Sequence, residues 1–162
     1  MEELTFQQFN EDYSRLYKLE DDLYRRLAKH FGLSESAFWV LYVLEMTRRP
    51  ITQAEISSYL SLSKQTINSG LKQLEQGGQI TLSGGPGRRK YLQLTGRGQN
   101  LAERTVRKVL ELEERAFRSM SPEEQAHILA LMRLHLDLML QGSSQIFDTS
   151  QEDSLSYGDQ II

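Results

Sequence analysis

From Leu4 to Phe31 the apolar positions Phe9, Tyr13, Leu16, Leu19, Leu23, Leu27 and Phe31 recur every three or four residues, the spacing that sets side chains on one face of a helix. The pattern predicts one long amphipathic helix ended by Gly32. Ser34 offers an N-cap hydroxyl, Glu35 suits a first turn, and Phe38, Leu41, Tyr42 and Leu44 give a second helix its apolar face until Pro50, which lacks the N–H needed to continue. Thr52 caps a third, short helix running to about Leu60. Ser63 caps a fourth running to about Gln76, where Gly77 and Gly78 stop it.

The period then shortens to two. Gln79-Ile80-Thr81-Leu82 and Lys90-Tyr91-Leu92-Gln93-Leu94 alternate polar with apolar, and Ser83 to Arg89 is turn chemistry, so a two-stranded hairpin with a basic loop is predicted. Thr95 caps a long amphipathic helix through about Met120. Ser121-Pro122-Glu123-Glu124 reads as a capping box with proline at the first helical position. From Ile128 to Leu140 the last helix is apolar on nearly every side, more than a lone domain of this size can bury, which argues for a partner chain. After Gln141 come four acids, no base and no period, the pattern of a mobile acidic tail.

A chain of 162 residues has room for one domain. With no cysteine, a disulfide scaffold, a thiolate zinc site, a thiol nucleophile and a cysteine redox sensor are all excluded. The acidic amino terminus does not read as a signal peptide, and no apolar run is long enough for a membrane span, so a cytoplasmic protein with no membrane partner is expected. Charge is unevenly placed: residues 48–97 hold eight Lys and Arg against Glu55 and Glu75, a surplus of six in a chain of net charge −3, so the remainder carries −9. A basic block within an acidic chain suits a polyanion-binding face, and it also fits an ordinary solvated surface.

The order helix, short helix, recognition-type helix and basic hairpin is that of a winged helix-turn-helix, in which one helix enters the major groove and the loop reaches toward the minor groove. Leu60-Ser61-Leu62-Ser63 forms the turn. Beyond it Lys64, Gln65, Thr66, Asn68, Ser69 and Lys72 fall on a polar face, and Ile67, Leu71 and Leu74 on a buried one. The fold class expected is mainly α with a small antiparallel β-hairpin. At Ser63, Thr66, Ile67, Leu74-Glu75, Gly78, Ile80 and Leu94-Thr95-Gly96-Arg97-Gly98 the chain resembles the MarR family of bacterial transcription regulators, over roughly residues 5–140.

The resemblance implies an N-terminal dimerisation helix (1–33), a winged helix-turn-helix lobe (34–94), C-terminal dimerisation helices (95–140) and the tail (141–162). It also implies a homodimer that binds a pseudo-palindromic operator on double-stranded DNA as a repressor. Two departures stand out. The family's wing places an acid two residues before its arginine, where this chain has Pro86-Gly87-Arg88. Gly70 lies inside the recognition helix, where glycine costs about 1 kcal/mol relative to alanine, and is expected to permit a close approach to a neighbouring helix or to DNA.

Side-chain chemistry assigns roles on DNA. Gln65 and Asn68 carry amides that can pair bidentately with adenine, and Thr66 offers a methyl or a hydroxyl. Lys64, Lys72, Arg89 and Lys90 suit phosphates, as do the helix N-termini at Thr52 and Ser63, and Arg88 suits the minor groove. The alternative is that Thr52 and Ser63 are simple caps and Gln65 merely faces solvent. His30, His127 and His135 are scattered, no nucleophile or phosphate-loop motif occurs, and neither catalysis nor a cofactor is expected. The family's small effectors, often aromatic or phenolic, bind between the dimerisation helices and the DNA-binding lobe. Tyr13, Tyr17, Phe38 and Tyr42 are the effector-site residues expected on that basis, although the same rings read as core or dimer interface. The alternative to a sequence-specific regulator is a winged-helix protein-interaction or architectural module whose basic face meets an acidic partner.

Overall fold

The structure, a computed structural model, describes residues 3–84, 89–143 and 146. In chain order the elements are α1 (Phe6–His30), α2 (Glu35–Thr47), β1 (Ile51–Thr52), α3 (Gln53–Leu60), α4 (Lys64–Gln76), β2 (Ile80–Gly84), β3 (Lys90–Leu94), α5 (Gly96–Arg104), α6 (Val106–Arg118) and α7 (Pro122–Ser143). They divide into two compact units, one ending at Glu113 and one beginning at Glu114.

The first unit is organised around α2. Ala37, Phe38, Val40, Leu41, Val43 and Leu44 are all buried, as are Ile56 of α3, Ile67 and Leu74 of α4, Ile80 and Leu92 of the sheet, and Ala102, Val106 and Val109 further on. So many buried positions on one short helix explain its lack of a polar stripe. Even Glu45 is buried, its carboxylate receiving a hydrogen bond from Arg107 Nε at 2.8 Å. The buried charge is therefore paired rather than stranded.

The sheet differs from the expected hairpin by one strand. β2 and β3 pair antiparallel with Leu82 opposite Leu92 and Gly84 opposite Lys90, and β1 adds to the free edge of β3 with Ile51 opposite Leu92 and Thr52 opposite Tyr91. The order is β1-β3-β2. A strand of two residues directly after Pro50 is too short to show alternation, so only its partner reveals it.

The predicted continuous helix from Thr95 to about Met120 is also corrected, because it breaks at Thr105 (φ −127°, ψ −95°). The buried Thr105 hydroxyl donates to Leu101 O at 2.7 Å and its N–H to Ala102 O at 3.2 Å, local bonding that competes with the α-helical ladder. Gly98 has a steric duty at the start of α5. A Cβ there would lie 1.9 Å from Gln79 O, so only glycine lets α5 begin against the link between α4 and β2.

In α1 the periodic face is real, but only its last turns are covered. Ala28 is buried, and Tyr24, Leu27 and Phe31 pack against the core, whereas Phe6, Leu16, Leu19 and Leu23 stay exposed. In the second unit the expected capping box forms, with Ser121 N–H donating to Glu124 Oε2 at 2.7 Å and Glu124 N–H donating to Ser121 Oγ at 3.3 Å. None of the described residues of α7 is buried, and its apolar side chains, Leu131 and Met132 among them, stand open. The helix runs through Ser143, past the expected start of the tail at Gln141. The rest of that predicted tail, apart from Ile146, lies outside the described residues.

Candidate nucleic-acid interface

The helix-turn-helix is built from α3 and α4. Ser61 adopts a left-handed conformation (φ 50°) that closes α3, Leu62 N–H donates to Ser57 O at 3.2 Å, and Ser57 Oγ donates back to Leu62 O at 2.5 Å. These bonds tie the turn to the helix before it and half-bury Leu62. Ser63 then caps α4, its Oγ accepting Thr66 N–H at 3.1 Å and lying 2.9 Å from Thr66 Oγ1.

On α4 the two faces separate as the spacing predicts. Ile67, Gly70, Leu71 and Leu74 are buried, and Lys64, Gln65, Thr66, Asn68, Ser69 and Lys72 are exposed. The buried face approaches α2 closely, since a Cβ on Gly70 would lie 2.5 Å from both C and O of Ser36. The close approach anticipated for Gly70 is thus to a neighbouring helix. Backbone contact brings side chains into register around it: Ser36 Oγ and Ser69 Oγ share a hydrogen bond at 2.9 Å, and Ser34 Oγ donates to Gln73. Ser69, one of the residues read as facing DNA, is therefore also part of the seam between α2 and α4.

The two helix N-termini differ electrostatically. At α3, Thr52 N–H and Oγ1 donate to Glu55 Oε2 at 2.8 and 2.7 Å, Glu55 N–H donates to Thr52 Oγ1 at 3.2 Å, and Arg49 pairs with Glu55 at 2.9 Å. The backbone N–H of Thr52, then its hydroxyl, then Arg49 hold the Glu55 carboxyl below its ordinary range. Thr52 thus acts as a cap, and the Glu55 carboxylate adds a negative charge at this helix terminus. The first turn of α4 carries no acid and begins with Lys64, leaving its positive dipole end open to an anion.

Arg89 and Lys90 are exposed at the start of β3. Arg88, the expected minor-groove arginine, lies outside the described residues with the rest of 85–88. No motif singles out Gln53, whose amide Nε2 donates to Asn68 Oδ1 at 2.6 Å and to Lys64 O at 3.4 Å. Two residues fifteen positions apart meet only because the turn folds α3 beside α4.

Of the four rings expected at an effector site, Phe38 and Tyr42 pack together with centroids 6.3 Å apart, and Tyr13 and Tyr17 do not join them. Tyr13 and Tyr17 are exposed on α1, with Tyr13 stacked on Phe9 at 5.5 Å. Phe38 is closed within the core. The Tyr42 hydroxyl donates to Glu113 Oε2 at 2.6 Å, and Tyr24, which sequence reasoning did not single out, donates to Glu113 Oε1 at 2.5 Å. Burial, then the hydrogen bond to Glu113 and its negative charge, push both tyrosines well above the ordinary phenol range. A separate cleft of about 600 Å³ is lined by Trp39, Tyr59, Leu60, Leu62, Asp21, Glu35, Ser36 and Thr66. It reaches from α1 and α2 to the first turn of α4. Among the described residues no group of three or more His, Asp or Glu is placed to hold a metal ion, and no helix is long and apolar enough to cross a membrane.

A family model described as MarR family matches residues 31–89. YwoH, an uncharacterised HTH-type transcriptional regulator of Bacillus subtilis strain 168, is 34% identical over 107 residues, covering 65% of this chain and 77% of that protein. The fold is similar to that of NMB1585, a MarR family regulator from Neisseria meningitidis (TM-score 0.71, 24% identity, 86% of this chain and 99% of that one). It is also similar to Sco3205, a MarR family regulator from Streptomyces coelicolor solved in complex with DNA (TM-score 0.66, 20% identity, 85% and 92% of the two chains).

Proposed function

The chain belongs to the MarR family of transcription regulators, and on that premise we propose that it acts as a homodimeric, sequence-specific repressor that places two α4 helices in successive major grooves of a pseudo-palindromic operator. The observation that carries this reading is the two-faced α4. Its apolar side is packed on α2 at backbone distance, while Lys64, Gln65, Thr66, Asn68 and Lys72 stand exposed beyond an acid-free N-terminus. A helix held so firmly on one side presents its polar side at low entropic cost. The complex of Sco3205 with DNA supports the same use of the fold. Gln65, Thr66 and Asn68 are assigned base readout, and Lys64, Lys72, Arg89 and Lys90 phosphate contact.

The uncovered apolar faces of α1 and α7 support dimerisation through residues 1–33 and 95–140, around a DNA-binding lobe at 34–94. A small aromatic effector would act from the cleft beneath Trp39 and Tyr59, because Thr66 on its wall belongs to the reading helix. Such a ligand changes DNA affinity only by binding the two states of the dimer unequally. Selection of binding sites from random duplex DNA tests the proposal. It should enrich an inverted repeat whose half-site centres lie about 10–10.5 bp apart. Recovery of no motif at physiological salt would refute sequence-specific binding and leave the interaction-module reading.

A further inference from the structure

Gln53 opens α3, and its amide nitrogen is fully committed. The two hydrogens of Nε2 go to Asn68 Oδ1 at 2.6 Å and Lys64 O at 3.4 Å, leaving Oε1 as its remaining polar atom. The bond fixes more than position. An asparagine amide that turns freely can show a groove either its oxygen or its nitrogen, but with Oδ1 held by α3 the planar group turns Nδ2, a pure donor, the other way.

We infer that Gln53 is a positioning residue that sets the polarity of Asn68, so that Asn68 reads an acceptor on the base edge, N7 or O6 of a purine, instead of pairing bidentately with adenine. The inference rests on the proposed placement of α4 in the major groove. Bidentate pairing with adenine requires Oδ1 and Nδ2 to face the same edge, and although Oδ1 keeps a second lone pair, the Gln53 bond turns it toward α3. Gln53 is half-buried at the seam between α3 and α4, and Asn68 is exposed. The first supports and the second reads.

The test is site selection in parallel with wild type, Asn68→Ala, Gln53→Ala and Gln53→Glu at one salt concentration, with unfolding temperature as a control for folding. In wild type, one position per half-site should demand a purine, and Asn68→Ala should erase that demand. Gln53→Ala should reduce discrimination at the same position about tenfold, the scale of one base contact, and leave the other positions unchanged. Gln53→Glu has only acceptors to offer, so it should draw Nδ2 inward, turn Oδ1 outward and switch the preference to a base bearing an amino group, adenine or cytosine. A merely structural role predicts no such switch. The inference is overturned if Gln53→Ala weakens all sequences equally with the purine preference intact, or if Gln53→Glu selects the wild-type motif. If wild type enriches no motif, or Asn68→Ala changes no preference, the placement of α4 itself fails, a pattern distinct from failure at Gln53 alone.

Discussion

Replacing Gly70 with alanine sets two opposing effects against each other, and the structure decides between them. In an exposed helix interior the change would stabilise by about 1 kcal/mol through helix propensity. Here the new Cβ would meet C and O of Ser36 at 2.5 Å and N of Ala37 at 2.8 Å, roughly 1 Å inside the usual contact distance between carbons. Those atoms are backbone, so no side chain can swing aside. α2 and α4 must separate, opening the core to which Ile67 and Leu74 of α4 and Phe38 and Leu41 of α2 all belong.

Overpacking of this kind costs about 3 kcal/mol at the upper end of its range, which leaves a net loss near 2 kcal/mol after the propensity gain. For a chain of this size that is a fall in Tm of roughly 4 to 8 °C. Differential scanning calorimetry measures it, with Gly96→Ala as the matched control, since a Cβ at Gly96 meets nothing within 4 Å. A Tm for Gly70→Ala equal to or above wild type would refute the backbone contact and the rigid mounting of α4 derived from it.

Alkaline stability should depend on Tyr24 and Tyr42. Their raised folded-state pKa values mean that above about pH 10 the unfolded chain has released protons the native state still holds, so stability falls as pH rises. Urea unfolding at pH 9 and pH 11 should show a smaller loss for the Tyr24→Phe, Tyr42→Phe double variant than for wild type; equal losses would contradict the Glu113 clamp. Leu131→Glu combined with Leu138→Glu places two charges a heptad apart on α7, where both leucines are exposed within a single chain. Sedimentation equilibrium should find a dimer for wild type and a monomer for the variant, and equal masses would remove α7 from the interface. Lys72→Ala should weaken binding to all DNA sequences alike and lower the slope of log affinity against log salt by about 1 per contact, or about 2 for a dimer. A changed motif with an unchanged slope would reassign Lys72 to base readout.

The helices that build the site were legible because each carries its own signals. Ser63 before the run Ile67, Leu71 and Leu74 marks both the start and the inward face of α4, and the cap and the burial are as read. Gly70 stood out as an anomaly of propensity, and α2 supplies its cause. Other features depend on partners distant in the chain. β1 exists because Ile51 meets Leu92, and Gln53 acts on Asn68 across a turn whose exact angle no local pattern encodes. At Thr52 the signal was present: a glutamate three residues on is the mark of a capping box, and the structure forms that box. The break at Thr105 was hidden because a single threonine within an amphipathic pattern reads as a weak helix former, and only its burial reveals where its hydroxyl bonds.

The most direct test of the central claim is the ratio of affinities for the selected operator and for a scrambled duplex of the same length, measured at near-physiological salt for wild type and Asn68→Ala. A regulator that reads bases through α4 should show a ratio of at least about a thousand in wild type, with a reduction in the variant confined to the selected duplex. A ratio near one, or a high ratio untouched by Asn68→Ala, would contradict base readout by this helix.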